Sequence, residues 1–154
     1  MVARIEVEVE GTGEAKRRLD AFAAAVADLR PFFEAEGEVF RERTDRQFRS
    51  EGALLGGWAA LVPWYEAYKE RVRPGRRILV FDGDLRRSMV EPGAEHNINR
   101  IGPRRAAFGS DDFKAQFHEY GTRKMPRRQM IVWRSSDRAE MEERLAAYLQ
   151  EAAG

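Results

Sequence analysis

Ile78-Leu-Val-Phe81 followed by Asp82-Gly-Asp-Leu-Arg-Arg-Ser88 is the stretch on which the fold turns. An apolar run that delivers one carboxylate, with a second two residues on, is how a buried strand ends in a phosphotransferase site. The same residues also read as a buried strand or packed turn leading into a brief helix that carries Leu85. Asp82 would then be its N-cap, because a carboxylate accepts from the free N–H groups of a first turn. The first reading needs a doubly wound parallel sheet around it. The second needs only a core for Ile78 and Leu85.

Upstream, Ile5, Val7 and Val9 alternate with Glu6, Glu8 and Glu10, the period-two signature of a half-buried strand over Val2–Glu10 that Gly11-Thr-Gly13 ends. Leu19, Phe22, Ala23, Val26 and Leu29 then fall at helical spacing until Pro31, which breaks or restarts the helix. Phe32, Phe33, Val39, Phe40 and Phe48 form the apolar stripe of a second helix, with the charged run Arg41–Asp45 expected largely on its solvated side. Gly52, Gly56 and Gly57 loosen the chain around Leu54-Leu55 ahead of Trp58, Leu61 and Trp64. Pro63 opens a short helix through Tyr65, Tyr68 and Lys69 that a turn at Pro74-Gly75 closes.

Downstream, Ser88–Glu91, His96–Ile101 and Arg105–Phe108 are separated by Pro92-Gly93 and Gly102-Pro103, which predicts an antiparallel meander. Ser110 or Asp111 caps a short helix bearing Phe113, Phe117 and Tyr120, ended by Gly121. Met130–Trp133 reads as one more strand, and Ser136-Asp137 begins a final helix with Met141, Leu145, Tyr148 and Leu149 on one stripe. The sum is an α+β fold: an N-terminal strand and two long helices, a short antiparallel sheet, and a C-terminal amphipathic helix. One domain is expected over 1–154, comprising strand and helices in 1–50, a flexible aromatic and glycine-rich segment in 51–77, and sheet with short helices in 78–154.

Composition narrows the function classes. With 43% hydrophobic and 34% charged residues the chain is globular, and without cysteine it has no disulfide, zinc-thiolate or thiol chemistry, which suits a reducing cytoplasm. No apolar stretch approaches the length of about 20 residues that spans a bilayer, so no membrane partner is expected. The net charge of +1 conceals a polarity: Met1–Glu51 carries 9 basic and 12 acidic residues, whereas Lys69–Arg128 carries 15 basic and 8 acidic. Such opposition permits head-to-tail contact between identical subunits, and equally permits phosphate to lie against the arginines.

As an enzyme, the chain would use Asp82 as nucleophile and Asp84 as acid, in the manner of haloacid dehalogenase phosphatases, with Asp111-Asp112 as a magnesium pair and Lys114 on phosphate. Arg86 stands where such sites have a small residue, and the flanking elements do not make a doubly wound sheet. His96 and His118 have no zinc spacing, and no nucleophile elbow or phosphate-binding glycine loop is present. No catalytic, metal or cofactor residue is therefore assigned. As a nucleic-acid binder, the chain would use Arg71, Arg73, Arg76 and Arg77, then Arg104 and Arg105, then Arg123, Lys124, Arg127 and Arg128, with Tyr120 to stack on a base. Binding would be nonspecific and salt-sensitive.

The order of the motifs supplies a third reading. Phe48, Gly52, Trp58 and Lys69 come first; Gly83, Leu85, Arg86 and Ser88 follow Ile78 and Leu79; then come Ile98, Ile101 and Gly102. Ala115, His118, Tyr120 and Gly121 lie within Phe113–Gly121, and Met125, Pro126 and Arg128 close the series before a last strand and helix. In this order the chain resembles, over Phe48–Leu149, the phage virion morphogenesis family of small tail-completion and neck proteins. Gln129 replaces that family's usual Pro, Glu119 its Gln, and Val62-Pro-Trp64 a Leu-Ser/Thr pair. The resemblance implies a structural protein of the virion, made in the host cytoplasm and placed at the head–tail interface or tail end. Its partners would be its own copies in a hexameric or portal-matched ring, portal or head-completion proteins, tail proteins and, nonspecifically, packaged DNA. Leu85 and Ile78 would anchor the short helix, Gly121 would permit a turn, and Pro126 would fix the entry to the last strand. Trp58, Trp64, Arg123, Lys124, Arg127 and Arg128 are the candidate contact residues, and reversing Arg127 and Arg128 to Glu is expected to block head–tail joining without unfolding the protein.

Overall fold

The computed structural model describes residues 12–154, so the strand read in Val2–Glu10 lies outside the described residues. Helices α1 (Thr12–Ala27) and α2 (Arg30–Arg49) meet at the break that Pro31 predicts, Pro31 occupying the first turn of α2 where a missing N–H is harmless. A 3₁₀ turn over Ala53–Leu55 leads to α3 (Pro63–Val72), again opened by its proline, and then to α4 (Asp84–Val90). Strands β1 (Asn97–Ile101) and β2 (Ala106–Ser110) form an antiparallel hairpin registered from Asn97↔Ser110 to Ile101↔Ala106. Helices α5 (Phe113–Tyr120) and α6 (Ser135–Ala153) complete the described fold, which is α+β.

The core forms at the C-terminal end of α2. Phe48 is fully buried against Leu85, Met89, Ala115 and Met130, and Trp58 meets it edge-on with ring centroids 5.4 Å apart. Removing an aromatic ring from such a site costs about 3–5 kcal/mol, so Phe48 is among the chief stabilising residues. Toward the other end, α2 packs on the hairpin through Phe40 and Phe108, stacked at 5.8 Å. Gly37 sits inside α2 because a Cβ there would lie 2.9 Å from the Phe108 ring, so close approach outweighs the poor helix propensity of glycine.

α6 runs antiparallel along α2. Tyr148 lies beside Phe32 at 6.0 Å, Arg144 grips Glu36 at 2.6 and 2.9 Å, and Arg43 reaches Asp137 at 3.3 Å. The run Arg41–Asp45 is thus not uniformly solvated: Thr44 is buried, and Arg43 is buried against the start of α6. α1 makes its principal contact with α6 and buries none of its residues, so its stripe of Leu19, Phe22 and Val26 stays exposed.

Three local expectations are corrected, and the alternatives left open for Ile78–Phe81 are decided. Ser88–Glu91 is not a strand, because Leu85, Ser88 and Met89 share the buried face of a helix at spacings of three and four. Ile78–Phe81 is a packed turn with Leu79 in the left-handed region at φ 59°. Met130–Trp133 belongs to neither strand of the sheet: the N–H groups of Met130 and Ile131 donate to the Glu119 carboxylate, and the preceding Gln129 carbonyl accepts from Gln47 and Trp58. Asp82 does not cap α4. Gly83, at φ 92°, is the N-cap without a side-chain bond, while the Asp82 carboxylate turns to Arg73 at 2.8 Å.

Candidate functional site

Part of the motif series, Lys69, Leu79, Gly83, Leu85, His118, Met125, Pro126 and Arg128, lines one open groove of about 570 Å³ beside the core. Trp64 and Tyr65 of α3 form one apolar wall, and the turn bearing Leu79, Val80 and Phe81 continues it into Gly83 and Leu85 at the head of α4. Lys114 and His118 of α5, with Lys124, Met125, Pro126 and Arg128, make the opposite side. Trp64 follows directly on Pro63, which sets the first turn of α3, and its indole is 72% exposed with its edge against Tyr65 at 5.7 Å. An exposed tryptophan at the mouth of a concave apolar surface is a usual anchor for a protein partner.

Two buried cations hold the groove's walls. The Lys69 ammonium donates to the carbonyls of Arg76 at 2.9 Å and of Arg77, so α3 is tied to the chain entering the Ile78–Phe81 turn. Burial drives its pKa down, opposed by the nearby Glu51 carboxylate. Arg128, only 6% exposed, donates through its guanidinium to the carbonyls of Ala59 and Ala60 at 2.8 and 2.9 Å. These bonds fix the segment leading to Trp64 against the loop that follows α5.

That loop is shaped by Gly121, at φ 74°, where a Cβ would stand 2.9 Å from the Arg127 nitrogen. Thr122 closes a tight turn: its N–H donates to the Met125 carbonyl at 2.9 Å, and its hydroxyl accepts from the Lys124 and Met125 nitrogens. Arg123 and Lys124 are therefore presented at the tip of an ordered turn, and exposed Arg127 is steadied by donating to the Glu119 carbonyl at 2.8 Å. His118 is half-buried, and its Nδ1 has no hydrogen-bond partner among the described residues. Burial, then the neighbouring Arg128 charge, pushes its pKa down, which favours the neutral imidazole on the groove wall.

The sequence-predicted residues divide accordingly. Trp64, Lys124, Met125, Pro126, Gly83, Leu85 and His118 line the groove, with Arg123 and Arg127 beside it on the same loop. Trp58 instead packs on Phe48 and donates its indole N–H to the Gln129 carbonyl at 2.8 Å, and Arg128, on the groove wall, is buried. Arg86 leaves the groove to pair with Asp45, joining α4 to α2. Ser88 donates to the Leu85 carbonyl and accepts from the Ser110 hydroxyl, both at 2.8 Å, joining α4 to β2. Tyr120 points to solvent. Phe81 and Tyr65 were not singled out as contact residues, although aromatic side chains in a turn and a short helix were the available signal.

The carboxylates of the enzyme reading are occupied. Asp82 pairs with Arg73, Asp84 with Arg87, and Asp111 with His96 at 2.9 Å, while buried Asp112 caps α5 by accepting from the Lys114 N–H at 2.9 Å. Among the described residues no doubly wound sheet surrounds them, and no three His, Asp or Glu side chains cluster. The basic groups form no single track: Arg104 and Arg105 sit in the hairpin turn beside Leu29, whose N–H meets the Pro103 carbonyl at 2.8 Å, at the end of α2 away from the groove. No described helix is long and apolar enough to cross a membrane.

Comparison with curated proteins finds no match, and comparison with solved structures finds none either. The sequence pattern of the phage virion morphogenesis family, in contrast, matches residues 11–150, so the likeness extends beyond Phe48–Leu149 to include α1 and most of α2. With that match over nearly the whole chain, the chain belongs to the phage virion morphogenesis family and takes part in phage virion assembly.

Proposed function

We propose that the protein is a structural assembly factor acting in tail completion or at the head–tail junction, where copies in a ring-like arrangement join portal or head-completion proteins to tail proteins. It works by shape and charge, without chemistry of its own. The observation that carries this reading is the groove: an apolar floor with Trp64 exposed at its mouth and Lys114 and Lys124 on its rim, next to carboxylates already engaged by arginines.

The test is charge reversal at the exposed cations of the loop. Arg128 is left intact, because removing its buried guanidinium would release the carbonyls of Ala59 and Ala60 and disturb folding. A phage carrying Arg123→Glu, Lys124→Glu and Arg127→Glu is expected to accumulate DNA-filled heads and separate tails, while the purified variant keeps the parent's circular dichroism. Normal virion yield from that phage would sink the reading.

A further inference from the structure

We propose that a second cavity, an arginine pocket that shares Val80 with the groove, is a phosphate site that holds the backbone of duplex DNA without reading its sequence. The pocket is open, of about 250 Å³, and Arg49, Arg76, Arg77 and Arg86 surround Phe48 and Val80 in it. Because Val80 lines both cavities, the Ile78–Phe81 turn is a wall between two surfaces of different character. The site adds a ligand to the part the family plays in virion assembly, and it does not depend on the groove being the joining surface.

The first ground is positive charge held in place. Asp45 accepts from the Arg86 Nε at 2.7 Å and from the Arg49 Nε at 2.9 Å, so one carboxylate serves two guanidinium groups. Arg76 and Arg77 are exposed and pair with no carboxylate among the described residues. Their backbone is nonetheless fixed. The Lys69 ammonium donates to both of their carbonyls, the Glu70 carboxylate accepts from the Gly75 N–H at 3.1 Å, and the Glu51 carboxylate accepts from the Ile78 N–H at 2.7 Å. With these groups counted, the cations Arg49, Lys69, Arg76, Arg77 and Arg86 exceed the carboxylates Asp45, Glu51 and Glu70 by two charges. A turn braced in this way presents two arginines without having to order its backbone on binding, which lowers the cost of capturing an anion.

The second ground is the kind of anion these groups suit. A guanidinium is a planar fork of donors that meets phosphate oxygens in pairs. The helix dipole accounts for Arg46 and Arg49 in the last turn of α2, where cations offset the carbonyl end, but not for Arg76 and Arg77, which lie beyond the end of α3. An acidic protein segment would need apolar anchor points as well as charge. Here Phe48 is fully buried and Val80 half-buried, while exposed Trp64 belongs to the groove. A phosphodiester backbone needs only cations and room for water. Arg46, one helical turn before Arg49, continues the cationic surface along α2. In an assembling phage particle, the polyanion at hand is nucleic acid.

Fluorescence anisotropy of a fluorescein-labelled DNA duplex of arbitrary sequence, titrated with the full chain across a salt series, tests the site. Arg76→Gln with Arg77→Gln should weaken binding about tenfold at fixed salt and reduce the slope of log affinity against log salt by about two, because two phosphate contacts are lost. Neither change touches the carbonyls that Lys69 holds, so this variant should keep the parent's circular dichroism. Arg76→Lys with Arg77→Lys keeps the charge and should keep the parent's slope. Arg104→Gln with Arg105→Gln removes the same charge from the hairpin turn and should leave the affinity within about twofold of the parent's. No loss in the Arg76 and Arg77 glutamine variant, or an equal loss in the hairpin variant, would overturn the proposal. So would binding of inorganic phosphate without binding of the duplex. Polyglutamate bound more tightly than the duplex would also overturn it, making the pocket a port for an acidic protein segment. Arg123, Lys124 and Arg127 are untouched in all these variants, so failure here leaves the head–tail reading and its own test standing.

Discussion

Asp137 shows how one residue ties elements that are remote in sequence. It is fully buried; its carboxylate accepts from the Arg134 backbone N–H at 2.7 Å and from the Arg134 guanidinium, and it also faces Arg43. The Arg134 hydrogen bond, with the Arg43 charge assisting, holds its pKa down at about 2 from the ordinary 3.8. A carboxylate whose pKa is lower in the folded state stabilises the protein above its unfolded pKa, and that contribution disappears as pH falls through the folded value. Asp137→Asn should therefore lower stability by roughly 2 kcal/mol at pH 7, with the difference from the parent shrinking between about pH 4 and pH 2. Urea titrations of both proteins across that range check it, and a difference independent of pH would refute it. Ser136-Asp137 was readable as a helix start, because a carboxylate near a first turn meets free N–H groups. Its partner Arg43 was not readable, because nothing local distinguishes a buried arginine from its solvated neighbours on α2.

At the scale of elements, legibility followed the strength of the local signal. Prolines placed the starts of α2 and α3, and the glycine after Tyr120 placed the end of α5, because those residues act through their own backbone. The short apolar runs were ambiguous by nature: Ser88–Glu91 and Met130–Trp133 have strand-like composition, and tertiary partners decided their form. Within the groove, the motif residues His118, Met125 and Pro126 were legible by their order. The inward turn of Trp58 and Arg128 was not, since each depends on hydrogen bonds to distant carbonyls. The extended Met130–Trp133 segment offers a test of this account. One Glu119 oxygen accepts from the Met130 and Ile131 nitrogens at 2.7 and 3.2 Å, taking the place of a neighbouring strand. Glu119→Ala should leave both N–H groups unsatisfied and cost about 2–3 kcal/mol, whereas Glu119→Gln, which keeps an acceptor oxygen, should cost less than half as much. Hydrogen exchange at Met130 and Ile131 should accelerate in the alanine variant, and unchanged protection there would show that the carboxylate does not hold the segment.

Across the whole molecule, burial is uneven along the helices, dense around the Phe48 end of α2 and absent from α1. The buried cluster around Phe48 gathers α2, α4, α5 and the segment at Met130, while α1 contributes no buried residue and leaves Leu19 69% exposed. A helix in that position is sustained by its contact with α6 and by exposed pairs such as Lys16–Asp20 and Arg18–Glu14, which contribute only a few tenths of a kcal/mol each. Perturbation at the two ends should therefore have unequal effects. Leu19→Glu removes little buried area and should shift folding stability by less than about 0.5 kcal/mol, whereas Phe48→Ala should remove about 3–5 kcal/mol. Thermal denaturation of the free protein measures both. The same Leu19→Glu substitution should reduce virion yield if the exposed stripe of α1 is covered by another subunit in the assembled particle. A large loss of stability from Leu19→Glu would instead mean that α1 is part of the folded core. Normal yield with normal stability would mean that the apolar stripe of α1 stays uncovered in the virion.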